Sequence, residues 1–141
     1  MTRPEIEGFF RARKQNWAAR GAVALAAGHH EHGTLDSPMF GRLDGRDAIR
    51  KSYEKLFSIF PDWDYQAEDL LIDDDRVAEP FMVDATHVGT FMGFEGTNRR
   101  FRIHGIRLFT MQAGLVLHER RMYDFTGLLI QIGVIKGKPA T

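Results

Sequence analysis

The stretch 47–72, DAIRKSYEKLFSIFPDWDYQAEDLLI, decides the fold, because its hydrophobic period changes in the middle. Ile49, Tyr53, Leu56, Phe57 and Phe60 stand at i, i+4, i+7, i+8 and i+11. That single apolar stripe predicts a helix over 47–60, with Asp44 as N-cap and Pro61 as the stop. From Trp63 onward the period is 2, which predicts a strand over 63–72 closed by the acidic turn Asp73-Asp74-Asp75.

Upstream, Thr2-Arg3-Pro4-Glu5 reads as a capping box. Ile6, Phe9, Phe10, Arg13 and Trp17 follow it at helical spacing, and a short small-residue helix over 22–27 ends at Gly28. Residues 35–43, with Pro38 and Gly41, read as an irregular excursion holding one short strand. Downstream, 76–88 is a long strand in which Pro80 must sit at a bulge or an edge, since it has no N–H for a ladder. Residues 89–98 carry three glycines and read as a loop. Residues 99–111 and 115–125 form a hairpin about Ala113-Gly114, and 127–133 reads as a terminal helix or a strand extension. Helices first and long antiparallel strands after them predict an α+β fold with the helices covering one sheet face, in one domain over 1–141.

Composition narrows the chemistry. With 19 basic and 19 acidic side chains the net charge is zero, which argues against nucleic acid. No cysteine is present, so disulfides, thiolate nucleophiles and thiolate zinc sites are excluded. The N-terminus lacks an apolar signal region and no run of 18 apolar residues occurs, so neither secretion nor membrane spanning is expected and the chain reads as cytoplasmic. His29-His30-Glu31-His32 lies between Gly28 and Gly33, where no helix would align two histidines. It reads as a solvated turn, not a metal site. Arg99-Arg100-Phe101-Arg102 reads as a solvated or dimer-facing strand end.

A series of short motifs follows in order: Gly45-Arg46-Asp47-Ala48-Ile49-Arg50, Phe60-Pro61-Asp62-Trp63, Asp75-Arg76-Val77 and 85–93 (ATHVGTFMG). Then come Gly114, Glu119-Arg120, Tyr123-Asp124 and 127–133 (GLLIQIG). From about Ala24 to Val134 the sequence resembles the SnoaL-like polyketide (ester) cyclase branch of the NTF2-like superfamily. The resemblance implies a cone of about three helices on a strongly curved antiparallel sheet, enclosing an apolar pocket, and a homodimer. It implies intramolecular aldol closure of a polyketide ester with no metal or organic cofactor, an acidic residue in the pocket moving the protons. The matching position is Asp124. The chain departs from the family's usual pattern at Pro80, where an arginine is common, and at Arg120, where a tryptophan is common.

On the last strand, strict alternation puts Val116, His118, Arg120, Met122 and Asp124 on one face, and Leu115, Leu117, Glu119, Arg121 and Tyr123 on the other. Buried in an apolar concavity, Asp124 would have its carboxyl raised and poised for proton transfer. Hairpin register is a fork. A two-residue turn pairs Arg107 with Arg120 and Ile103 with Asp124, whereas a three-residue turn brings His104 beside Asp124 as an acid/base partner. His87, at a strand end before a glycine-rich loop, is a proton shuttle at the pocket or a tie for that loop. Among 16 aromatics (11 Phe, 3 Tyr, 2 Trp), Trp17, Tyr53, Phe57 and Trp63 are candidates to line the pocket, with Arg120 as a polar contact.

The leading reading is acid–base catalysis at a carbonyl of a small hydrophobic substrate, lyase or isomerase in type. Asp124 moves the proton and His104 or His87 steadies the enolate oxygen. One alternative is a non-catalytic dimeric protein that binds a small hydrophobic ligand. Another is epoxide-hydrolase-like water activation, which needs a second acid such as Asp84 or Glu119. The neutral charge and aromatic content favour an uncharged ligand.

Overall fold

The computed structural model describes residues 1–140. Helix α1 (Arg3–Ala18) starts at a capping box, Thr2 Oγ1 accepting from Glu5 N–H while Glu5 Oε2 accepts from Thr2 N–H at 2.8 Å. It buries Ile6, Phe10, Arg13 and Trp17, the stripe expected, with an arginine on it. Helix α2 is Ala22–Ala27 and α3 is Arg46–Ile59, which buries Ile49, Tyr53, Leu56 and Ile59. The N-cap of α3 is Gly45 at φ 90°, not Asp44: the chain leaves the preceding strand by a turn only glycine adopts freely, and no side chain caps the helix. A fourth helix, α4 (Phe125–Gln131), settles the C-terminal segment as helical.

The strands are β1 (His29–Ser37), β2 (Gly41–Asp44), β3 (Asp64–Ala67), β4 (Leu71–Asp73), β5 (Arg76–Thr86), β6 (Arg100–Gln112) and β7 (Leu115–Tyr123). They form one sheet in the order β2-β1-β7-β6-β5-β3, with β4 also on β5. All pairs are antiparallel except β1–β7, which is parallel. Residues expected to be an irregular excursion are the hairpin β1–β2. The histidine run expected as a solvated turn opens β1, and its first member, His29, is fully buried.

Pro80 is accommodated by a gap. β3 pairs with β5 as far as Phe81 and β4 pairs from Ala78, so Pro80 lies between two partners on that edge. Its carbonyl accepts from Glu68 N–H at 2.8 Å, and its missing N–H is not called on.

The β6–β7 register takes neither branch of the fork. A two-residue turn at Ala113 (φ 52°) and Gly114 (φ 80°) pairs Gln112 with Leu115 and Met111 with Val116. A bulge at Leu117 then shifts the pairing to Thr110 with His118 and Arg107 with Arg121. Strict alternation therefore fails on this strand. Val116, Glu119 and Arg121 are buried with Tyr123 half-buried, while His118, Arg120 and Met122 are exposed.

Helices and the inner sheet face enclose the main core, which runs from Trp17, Leu25 and Leu35 through Tyr53, Leu56 and Phe60 to Phe81, Ile103 and Leu128. No helix among the described residues is long and apolar enough to cross a membrane.

Candidate active site in the cone interior

The inner face of the sheet carries charge where an apolar wall was expected. On β5 the inward positions are Val77, Glu79, Phe81, Val83 and Ala85. On β6 they include Ile103, Arg107 and Phe109. Register lines up Glu79, Arg107 and Arg121 across three adjacent strands. The neighbouring row is Val77, Phe109 and Glu119.

Glu119 is the hub. Its Oε2 accepts from Arg121 Nε at 2.6 Å and from Arg107 Nη1 at 3.0 Å. Its Oε1 accepts from Arg13 Nη2 at 3.1 Å, so α1 is clamped to the last strand. Burial alone would raise this carboxyl, but the charges of Arg121, Arg107 and Arg13 outweigh it and hold it far below the usual carboxylate range. Glu119 therefore stays ionised and is a poor proton acceptor.

Tyr53, from the α3 stripe, joins the same network. Its hydroxyl accepts from Arg13 Nη2 at 2.7 Å and from Arg121 Nη2 at 3.3 Å. The remaining hydroxyl proton goes to His29 Nε2 at 3.1 Å. Burial and the neighbouring arginine charge lower His29 to about 3, so its ring is neutral. On the other side, Tyr65 on β3 donates to Glu79 Oε1 at 2.5 Å. Burial raises the Glu79 carboxyl, with Tyr65 and the arginines opposing only in part, and it raises the Tyr65 phenol strongly.

Arg107 lies in an aromatic box. Its guanidinium carbon is 4.5 Å from the centroid of Trp17, 4.6 Å from Tyr65 and 5.2 Å from Phe81. Trp17 and Tyr65 stack at 4.6 Å. This packing fixes the planar group, leaving its edge toward the centre of the cone. There Arg107 and Arg121 line a cavity of about 10 Å³ with Leu56, Trp63, Phe81 and Ile103, closed by Met39 and Phe40 on the β1–β2 turn. Tyr123 completes the lining, its phenol pushed up to about 12 by burial.

The residues singled out in the sequence divide. Trp17, Tyr53 and Trp63 are in the interior, and half-buried Phe57 packs against Trp17 and Tyr53. Asp124, His104 and Arg120 are exposed and stand apart from it. Asp124 caps α4, its Oδ1 accepting from Gly127 N–H at 2.8 Å. His104 points outward on β6 opposite Met82, and Arg120 points outward opposite Leu108. His87 is buried against Phe60 and Phe91, its Nδ1 accepting from Thr97 N–H at 3.3 Å, which ties down the loop before β6. Arg13, His29, Tyr65, Glu79, Arg107, Glu119 and Arg121 were not named as site residues. Glu79 had a readable signal, an acid inside the alternation Val77–Glu79–Phe81–Val83, and so had Arg13, on an apolar helical stripe.

The sequence profile of the SnoaL-like polyketide cyclases matches residues 9–132, so it takes in most of α1, beyond the span read from the motifs. The chain belongs to the SnoaL-like polyketide cyclase family. Solved structures similar to this SnoaL-like chain include TsrD from Streptomyces laurentii (TM-score 0.83, 19% identity, 96% of this chain and 99% of that one). AclR from Streptomyces galilaeus is similar with a TM-score of 0.82 at 22% identity, over 99% and 91% of the two chains. A SnoaL-like polyketide cyclase from Agrobacterium tumefaciens aligns at 0.72 with 19% identity, over 89% and 95%. No curated protein matches in sequence. At these identities the likeness is one of fold, the NTF2-like cone. The two departures from the family pattern, Pro80 and Arg120, both fall on the outward face of this SnoaL-like chain's sheet and leave the interior untouched.

Proposed function

We propose that this chain is a cofactor-free acid–base enzyme acting at a carbonyl of a small, largely hydrophobic substrate in the cone interior. The observation that carries the reading is the pair Arg107 and Arg121, both bound to Glu119, set among the apolar residues Leu56, Phe81 and Ile103 at one cavity. Removing a proton α to a carbonyl moves an electron pair onto its oxygen. Guanidinium N–H groups already fixed in place stabilise that charge without reorganising. Glu119 orients them. Glu79, across the ladder from Arg107 and raised by burial, takes the α-proton in this reading. In an aldol closure the enolate carbon then attacks a second carbonyl of the same molecule, and the new alkoxide recovers the proton from Glu79. Tyr65 holds that carboxyl in orientation, and the neutral Tyr123 phenol is a further donor to the oxyanion.

The test is α-proton exchange in D2O, followed by NMR, on a panel of aryl ketones with an acidic α-C–H, supplied as free acids and as methyl esters. Exchange above the buffer rate is expected for the wild-type chain, with a loss of about 10²–10³-fold in Arg107→Met and in Glu79→Gln. Exchange at the buffer rate throughout would refute catalysis. A second reading, a binding protein without turnover, draws on the cavity's size: about 10 Å³ is room for roughly one water. Ligand retained without exchange would decide for it. In both readings the chain pairs with a second copy across the outward sheet face, where Ile106 and Met122 are cross-strand neighbours and each 40% exposed.

A further inference from the structure

The interior is electrically unbalanced. Arg13, Arg107 and Arg121 are all buried, and a guanidinium stays charged in proteins. Two buried carboxyls oppose them, Glu79 and Glu119. His29 is neutral, and the phenols of Tyr65 and Tyr123 keep their protons. With both carboxyls ionised the chamber retains one positive charge, and a proton on Glu79 adds another. A buried charge left without a partner is strongly disfavoured, so such a chamber favours a guest that brings negative charge with it.

Hydrogen-bond supply at the cavity points the same way. Arg107 donates from Nη1 to Glu119, but its buried Nε–H has no acceptor. The Trp63 indole N–H is also buried without an acceptor, and Trp63 lines the same cavity as Arg107 and Arg121. Tyr123 supplies the one other polar side chain there, and no carboxylate or amide side chain lines the space. Buried donors without acceptors are rare in folded proteins. Two of them beside a pair of guanidiniums make a cradle for acceptor oxygens.

We propose, resting on the cone interior being the site, that its ligand is an apolar organic monoanion: a carboxylate seated against Arg107, Arg121 and the Trp63 N–H, with a hydrocarbon body on Leu56, Phe81 and Ile103. The zero net charge of the whole chain, which favours a neutral ligand, averages away this local excess. The cavity is too small for such a body as it stands, so the Met39–Phe40 turn moves aside when the ligand enters.

The full chain is titrated with 2-naphthoate, its methyl ester and its primary amide, by calorimetry and by tryptophan fluorescence. Naphthoate is expected to bind about tenfold or more tighter than either neutral form, and to keep that preference at about 0.5 M salt, because the contact is buried. Trp63→Phe keeps a ring and deletes the N–H. It is expected to weaken naphthoate several-fold and leave the ester unchanged. Arg107→Met is expected to abolish the preference, and if circular dichroism shows that it does not fold, the acid-to-ester ratio and Trp63→Phe decide. Equal or tighter binding of the ester, no binding by any of the three, or a preference that Trp63→Phe leaves intact would overturn the inference. The α-proton exchange assay separates the two proposals. Exchange without acid preference removes this one alone, and acid preference without exchange removes only the catalytic reading.

Discussion

His29 shows how one side chain ties stability to pH. Folded, its ring is held neutral, with its pKa lowered to about 3 by burial and by Arg13. Unfolded, it takes up a proton near pH 6.5. The unfolded chain thus binds more protons between these limits, and stability falls as pH drops from about 6.5 toward 3, by an amount on the order of 4 kcal/mol in all. Glu119 adds to the loss only at lower pH, because its depressed carboxyl contributes stability above the ordinary glutamate range and loses it as the pH falls further. Urea denaturation at pH 7.5, 6.5, 5.5 and 4.5 should therefore show a slope starting near 6.5. His29→Gln should flatten that slope down to about 5, whatever it does to the absolute level. An unchanged slope in the variant would mean that another group carries the proton. His29 was hard to find because it heads a run of three histidines and a glutamate whose other members are at the surface, and its partner Tyr53 is 24 positions away.

At the scale of the element, a carboxylate can have a complete job in backbone structure. Asp124 accepts from the Gly127 N–H at the start of α4, and the added Cβ of any larger residue at 127 would collide with that carboxylate. Asp124→Ala should cost about 1 kcal/mol, and Asp124→Asn, itself a good N-cap, should cost little. Both are measurable by thermal unfolding. The Asn variant should exchange the α-proton of an active ketone at the wild-type rate, and an inactive but well-folded Asn variant would return the proton step to Asp124. The helices were legible because apolar periodicity is local: α3 was read to within one residue of its observed ends, and the capping box of α1 was read complete. β7 was misread because a bulge is set by its partners. Gly33 on β1 has backbone oxygens of Val116 and Leu117 within 3.2 Å of where a Cβ would be, so the parallel neighbour closes on the chain at that point. Nothing in the run LVLHERRMY marks Leu117 as the residue to skip.

Across the whole molecule, the sheet divides two chemistries. Its inner face meets the helices through aromatic rings and a buried ion network, whereas its outward face presents Ile106, Met122, Met82 and Leu108 among His104, His118 and Arg120. Sedimentation should give twice the mass of one chain, and Ile106→Glu should shift the population to monomer, since a charge at the middle of a covered apolar face is strongly disfavoured. A wild-type chain that sediments as a monomer at all concentrations would remove the dimer. The cone itself was accessible from the order of short motifs, because that order encodes which strands must neighbour which. The polarity of its interior was not, since it arises where α1, α3, β5, β6 and β7 converge and each contributes a single charged or phenolic group. The Leu117 bulge has one further consequence, for tolerance to change in length. Deleting one residue between Gly114 and Glu119 would invert the strand beyond it, exchanging Glu119, Arg121 and Tyr123 for His118, Arg120 and Met122. Nine residues of β7 are therefore a fixed count, while the loop over 89–98 is free to lengthen, and a family built on this cone would vary in size at the rim and hold constant at this strand.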